Sequence, residues 1–180
     1  MTAPSIQLLL GGARSGKSRL AEQYALELHK KQENVAKLIY LATATAGDSE
    51  MKTRIDNHQA RRDKQWRLIE EPIDIANVIQ QSNSNTTILI DCLTLWLSNC
   101  LHVDCWSEQR DKLINALNDC QANVVMVSNE VGSGVIPKGE LSRTFVDESG
   151  WLHQELATLC TKVTLVVAGL PMILKEVAKK

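Results

Sequence analysis

The chain has 180 residues, with 20 basic and 21 acidic side chains, a formal net charge of −1 and 44% hydrophobic residues. That length suits one nucleotide-binding domain over residues 1–180 with a full buried core. The balanced charge gives no general attraction to nucleic acid or to an anionic membrane, and no apolar run reaches membrane-spanning length.

In chain order, a short apolar strand, Ile6–Leu10, leads into Gly11, Gly12, Ala13, Arg14, Ser15, Gly16, Lys17 and Ser18. This is the phosphate-loop pattern G-x-x-x-x-G-K-[ST]. An amphipathic helix over 18–32 follows, with Leu20, Tyr24 and Leu28 spaced at i, i+4 and i+8. The strand–loop–helix context gives the motif its mechanism. The glycines curl the backbone so that successive N–H groups face inward, and the helix adds the positive end of its dipole. Lys17 is placed to reach the β- and γ-phosphates and Ser18 to hold Mg²⁺, so a nucleoside triphosphate site is expected.

A second strand, Lys37–Ala42, exits through Thr43, Ala44 and Thr45, which open onto the same crevice. The next helix, 49–63, has little to bury beyond Met51 and Ile55. It places Arg54, His58, Arg61 and Arg62 at i, i+4, i+7 and i+8, on one face. Such a face is ordinarily a solvated surface. Beside a phosphate crevice, a neutral imidazole could instead attack an α-phosphorus while arginines take up the developing charge. A strand at Trp66–Glu70 and a helix at 73–81 come next. The turn Ser82–Asn85 precedes the continuously apolar strand Thr87–Asp91.

Asp91 ends that strand, some 70 residues after the loop, where a carboxylate suits Mg²⁺; the alternative is a cap on the following turn. A helical stretch over 94–119 breaks near Asp104–Ser107. Strand Asn123–Ser128 leads into a polar, glycine-containing exit, in which Asn129 and Glu130 are either substrate or metal-water contacts or simply a loop. Helix 141–160 and strand Val163–Ala168 follow, and the tail after Leu170 carries no usable pattern. Cys100, His102 and Cys105 match no common zinc spacing. The five cysteines are odd in number, form no CxxC pair and follow no signal peptide, so free thiols in a reducing cytoplasm are expected.

Strands apolar on both faces, alternating with helices, predict an α/β fold: a mostly parallel sheet flanked by helices. Five blocks of the chain resemble the bifunctional adenosylcobinamide kinase / adenosylcobinamide-phosphate guanylyltransferase family of late cobalamin biosynthesis. They are residues 11–19, Tyr40 to Ala44, Arg54 to His58 with Trp66 and Glu70, Ile90 to Thr94, and Ser128 to Pro137. The resemblance implies a RecA-like phosphate-loop fold and two reactions. The first is phosphorylation of adenosylcobinamide by ATP or GTP. The second is transfer of GMP from GTP, through a guanylylated histidine, to adenosylcobinamide phosphate. By the same resemblance His58 is the nucleophile, and Gln59, Ala60, Arg61, Arg62, Glu70 and Asp91 join the phosphate loop in binding nucleotide. A homo-oligomer, a trimer, is implied as well. Where the family has Asn-Gln, this chain has His153-Gln154.

Three rival readings are a phosphate-loop small-molecule kinase without nucleotidyl transfer, a non-catalytic GTP-binding switch, and a motor acting on nucleic acid. No Asn-Lys-x-Asp base-recognition motif supports the switch, and the net charge counts against the motor.

Overall fold

A computed structural model describes residues 3–32, 36–44, 65–134 and 137–177. The expected helix over 49–63, and with it Thr45, His58, Gln59, Ala60, Arg61 and Arg62, lies outside the described residues.

Among the described residues, seven strands form one sheet. They are β1 (Ile6–Gly11), β2 (Lys37–Ala42), β3 (Arg67–Glu70), β4 (Thr86–Asp91), β5 (Asn123–Asn129), β6 (Lys162–Val167) and β7 (Leu170–Glu176). Their spatial order is β3-β2-β4-β5-β1-β6-β7, and only the β6–β7 pairing is antiparallel. One strand, β5, separates the loop strand β1 from the acidic strand β4, which is the RecA-like phosphate-loop arrangement. The helices are α1 (Lys17–Lys30), α2 (Ile75–Gln80), α3 (Leu93–His102), α4 (Trp106–Asn118) and α5 (Glu140–Leu159).

The continuous apolar runs are explained by two covered faces. Side chains alternate across a strand, so Ile88, Ile90, Val124 and Met126 join the core against α2, α3, α4 and α5. Leu9, Leu89, Val125 and Val127 point the other way, onto Ala21, Ala25 and Leu28 of α1. Trp96 is fully buried on the first face, donates its indole N–H to Ile73 O at 2.6 Å and meets Trp106 edge-on at 5.2 Å. Emptying such a site would cost about 3–5 kcal/mol.

The helical stretch over 94–119 does break, at Val103 to Cys105. Asp104 takes φ 55° there, and Cys105 N closes the end of α3 on Cys100 O at 2.9 Å. Cys100 and Cys105 pack locally, and no metal-binding group of three His, Cys, Asp or Glu occurs among the described residues. The patternless tail is in fact strand β7. Its two-residue turn, Ala168 (φ 52°) and Gly169 (φ 80°), has the paired positive φ values that tight hairpins need.

Candidate active site

The phosphate loop closes between β1 and α1. Gly11 has to be glycine: a Cβ there would lie 2.5 Å from Val166 O and 2.6 Å from Ser15 Oγ. Gly16 caps α1 at φ 95°, a conformation that side chains resist. Arg14 also sits at positive φ, 56°, so the loop holds strain that the surrounding structure must support. Support comes from two neighbours. Glu130 N donates to Gly11 O at 3.1 Å, and Gly169 N, in the β6–β7 turn, donates to Ser15 O at 2.8 Å. The hairpin that the sequence did not reveal therefore braces the loop that it did.

Lys17 is buried, and its Nζ donates to Gly12 O at 3.0 Å. Burial lowers its pKa, while Cys92 and Asp91 pull it upward. A partly desolvated ammonium beside a cage of backbone N–H groups is poised for polyanionic oxygens, which would stabilise its charge.

Register places the other groups. Glu70 and Asp91 are both Cα partners of Ala42, so the two carboxylates end their strands in one row, two strand spacings or about 10 Å apart. Asp91 shares the parity of Leu89 and so points to the α1 side, where Tyr40 donates its hydroxyl to Oδ2 at 2.6 Å. Asn129 pairs with Gly11 and shares the parity of Val127, so its carboxamide faces that side too. That carboxamide makes no hydrogen bond among the described residues. Glu130 accepts instead from its own loop, Gly132 N at 2.8 Å and Ser133 N at 3.2 Å.

Thr43 braces the wall. Its hydroxyl donates to Cys92 O at 2.8 Å and accepts from Cys92 N at 2.9 Å, and Asn99 Nδ2 donates to its carbonyl at 2.8 Å. Ala44 follows it, half-buried at the crevice edge. Ser18, in the first turn of α1, and Asp91 offer hard oxygen donors. With no denser acidic cluster among the described residues, a cation there needs phosphate and water oxygens to complete its shell, which is how Mg²⁺ is usually held.

Behind β5 lies a polar cluster that sequence reasoning did not assemble. Asn129 N donates to Thr94 Oγ1 at 2.7 Å, that hydroxyl lies 3.2 Å from Ser128 Oγ, and His153 Nε2 lies 2.7 Å from Ser128 Oγ. Thus α3 and α5 converge on the residue that precedes Asn129. The only sequence signal was the unexpected His153. Burial holds its imidazole below the ordinary range, against the pull of Glu130. A ring that resists protonation when folded makes the unfolded chain bind more protons, so stability falls as pH drops below about 6.5 and levels off below the folded pKa. Urea titrations at pH about 7.5 and 5.5 should show a smaller acid loss for His153→Gln; equal losses would place the sensitivity elsewhere.

Residues 7–174 match the family described as cobinamide kinase / cobinamide phosphate guanyltransferase. The chain is 49% identical over 172 residues to the bifunctional adenosylcobalamin biosynthesis protein CobP of Pseudomonas aeruginosa, covering 93% of this chain and 96% of that protein. It is 35% identical over 185 residues to the protein CobU of Escherichia coli K12, covering 93% and 98%. A solved protein from Pyrococcus horikoshii OT3 shares the fold alone, with a TM-score of 0.55 and 9% identity over 99% of this chain and 89% of that one.

Proposed function

The chain belongs to the cobinamide kinase / cobinamide phosphate guanyltransferase family, and from that premise we propose that one nucleotide cradle serves both of its transfers. The enzyme phosphorylates cobinamide and then guanylylates the product. The observation that carries the shared cradle is the convergence of Lys17, Asp91 and the carboxamide of Asn129 at the phosphate loop.

In the first transfer, the loop N–H groups and Lys17 hold the triphosphate in line with the substrate hydroxyl. That hydroxyl oxygen bonds to the γ-phosphorus as the bond to the β-bridging oxygen breaks. In the second, the His58 imidazole attacks the α-phosphorus of GTP, pyrophosphate leaves, and a phosphate oxygen of cobinamide phosphate then displaces the imidazole. Arg61 and Arg62 stabilise the charge that develops. Gln59, Ala60, Glu70, Ala44 and Thr45 complete the nucleotide pocket in this reading. Mg²⁺ on Ser18 and Asp91 neutralises phosphate charge when bound.

Incubation with GTP labelled at the α-phosphate tests this. Label should remain on the protein and discharge on addition of cobinamide phosphate. A chain that phosphorylates cobinamide but never retains label would be a kinase only.

The metal assignment has its own test. Asp91→Asn keeps the hydrogen bond from Tyr40 but removes a charge, so activity should need several-fold more Mg²⁺. An unchanged Mg²⁺ titration would leave Asp91 as a structural strand end.

The proposal extends to a cytoplasmic location, which the five free thiols support. No helix among the described residues is long and apolar enough to cross a membrane. It extends also to self-association: edge strand β7 exposes Leu170, Met172, Ile173 and Leu174, a row that a second copy would cover. Sedimentation velocity reads it, and a monomer at micromolar concentration would remove this part.

A further inference from the structure

Resting on the reading above, we infer that the groove between α3 and α5 seats the corrin end of the substrate. It is a cavity of about 650 Å³ walled by Ser98, Leu101 and His102 of α3 and by Leu141, Ser142 and Phe145 of α5. The volume lies within the usual range for small-molecule sites.

The two walls are anchored at one point. Thr94 of α3 and His153 of α5 both meet Ser128 Oγ, at 3.2 and 2.7 Å, and Thr94 accepts the backbone N–H of Asn129. From there, α3 carries Ser98, Leu101 and His102 at four, seven and eight residues beyond Thr94, along one helical stripe. On α5, Phe145 and Ser142 lie eight and eleven residues before His153, again on one stripe. The groove therefore begins one turn, about 6 Å, from the residue pinning Asn129 and extends about another 6 Å along α3, from Ser98 to His102.

The chemistry of the walls fits a corrinoid. A corrin ring is a broad apolar plate fringed by neutral amides. Leu101, Leu141 and Phe145 offer apolar and aromatic contact, while Ser98, His102 and Ser142 supply hydroxyl and imidazole partners for amides at the rim. Among the described residues none that lines the cavity is a carboxylate or an ammonium, as suits a ligand whose fringe is uncharged. The reach also matches. The hydroxyl to be phosphorylated stands about seven bonds from the ring. That equals little more than two residues of extended chain, roughly 8 Å. A ring held in the groove would thus deliver its hydroxyl past Thr94 to the Asn129 end of the phosphate loop.

Two substitutions at exposed positions test the groove without touching the nucleotide cradle. Leu141 is 72% exposed, and Ser142 is exposed beside it. Leu141→Glu puts an unpaired charge at the mouth, and Ser142→Trp fills the space. Equilibrium dialysis with cobinamide, read by its own colour, should show at least tenfold weaker binding for both. The kinase KM for cobinamide should rise to match, while the KM for GTP and self-guanylylation stay as in the unaltered chain. Unchanged cobinamide binding in both variants would overturn the inference. So would an altered sedimentation coefficient with cobinamide binding unchanged, which would make the groove a contact between copies. If self-guanylylation fails in the unaltered chain while the dialysis result holds, the histidine mechanism falls and the corrinoid groove stands.

Discussion

Lys17→Ala lowers cobinamide phosphorylation by roughly 10²–10³, the usual consequence of removing one preorganised electrostatic contact. Self-guanylylation should fall with it, because in the proposed shared cradle each transfer develops negative charge on a triphosphate held by this loop. The structure explains why no neighbour can substitute. Lys17 is the buried cation of the loop, and Cys92 and Asp91 raise its pKa against the cost of burial. Since desolvation dominates, the ammonium is poorly compensated until phosphate oxygens surround it. The alanine variant should therefore fold with little change in thermal midpoint, so that lost activity cannot be blamed on lost structure. Single-turnover assays with GTP labelled at the γ- or the α-phosphate measure the two transfers separately. Near-normal turnover with normal GTP affinity would remove this loop from the catalytic site.

How far the sequence alone revealed the site depends on how local each determinant is. The phosphate loop is contiguous, and its strand and helix flanks are periodic, so both were legible. Asp91 was legible because an apolar run stops at it. The same parity argument that makes Ile88 and Ile90 face one core and Leu89 the other also fixes where Asp91 points. For the helices among the described residues, the expected ends lie within about two residues of the observed ones, except where the 94–119 stretch divides in two; the expected helix over 49–63 lies outside them.

What stayed hidden was held together across the fold. Tyr40 reaches Asp91 over 51 residues, Thr43 reaches Cys92 over 49, and Ser128 meets His153 over 25. None of these pairs leaves a mark in a local window, and each partner alone is an ordinary strand or helix residue. β7 was missed for another reason. Its hairpin turns on Ala168-Gly169 rather than on the Asn-Gly or Asp-Gly pairs that announce such turns, and Pro171 interrupts the strand pattern. The Pro is tolerated because β7 is an edge strand, paired on one side only. Its exposed apolar residues also break the in–out alternation that would have marked it as a strand. Yet its turn supplies Gly169 N to Ser15 O, so the least legible element supports the most legible one.

His58→Ala should divide the two activities of the chain. Covalent capture of GMP needs a nucleophile on the protein. In this sequence His58 is the histidine set among arginines, with Arg54, Arg61 and Arg62 at helical spacing. Near pH 7 most of an unperturbed imidazole is already neutral, so the attack needs no large pKa shift. Removing the ring should abolish protein labelling by GTP labelled at the α-phosphate and stop guanylyl transfer. Phosphoryl transfer needs only the substrate hydroxyl in line with a γ-phosphorus held by the loop, so cobinamide phosphorylation should survive. With His58 as the nucleophile, the adduct on the unaltered chain would be a phosphoramidate. Acid should release GMP, because protonating the bridging nitrogen makes imidazole a good leaving group, whereas base should not. His153 is the control histidine. It lies behind β5 with its Nε2 engaged by Ser128 Oγ, so His153→Gln should still take up label. Label that survives acid, or that persists in His58→Ala, would move the nucleophile to another residue.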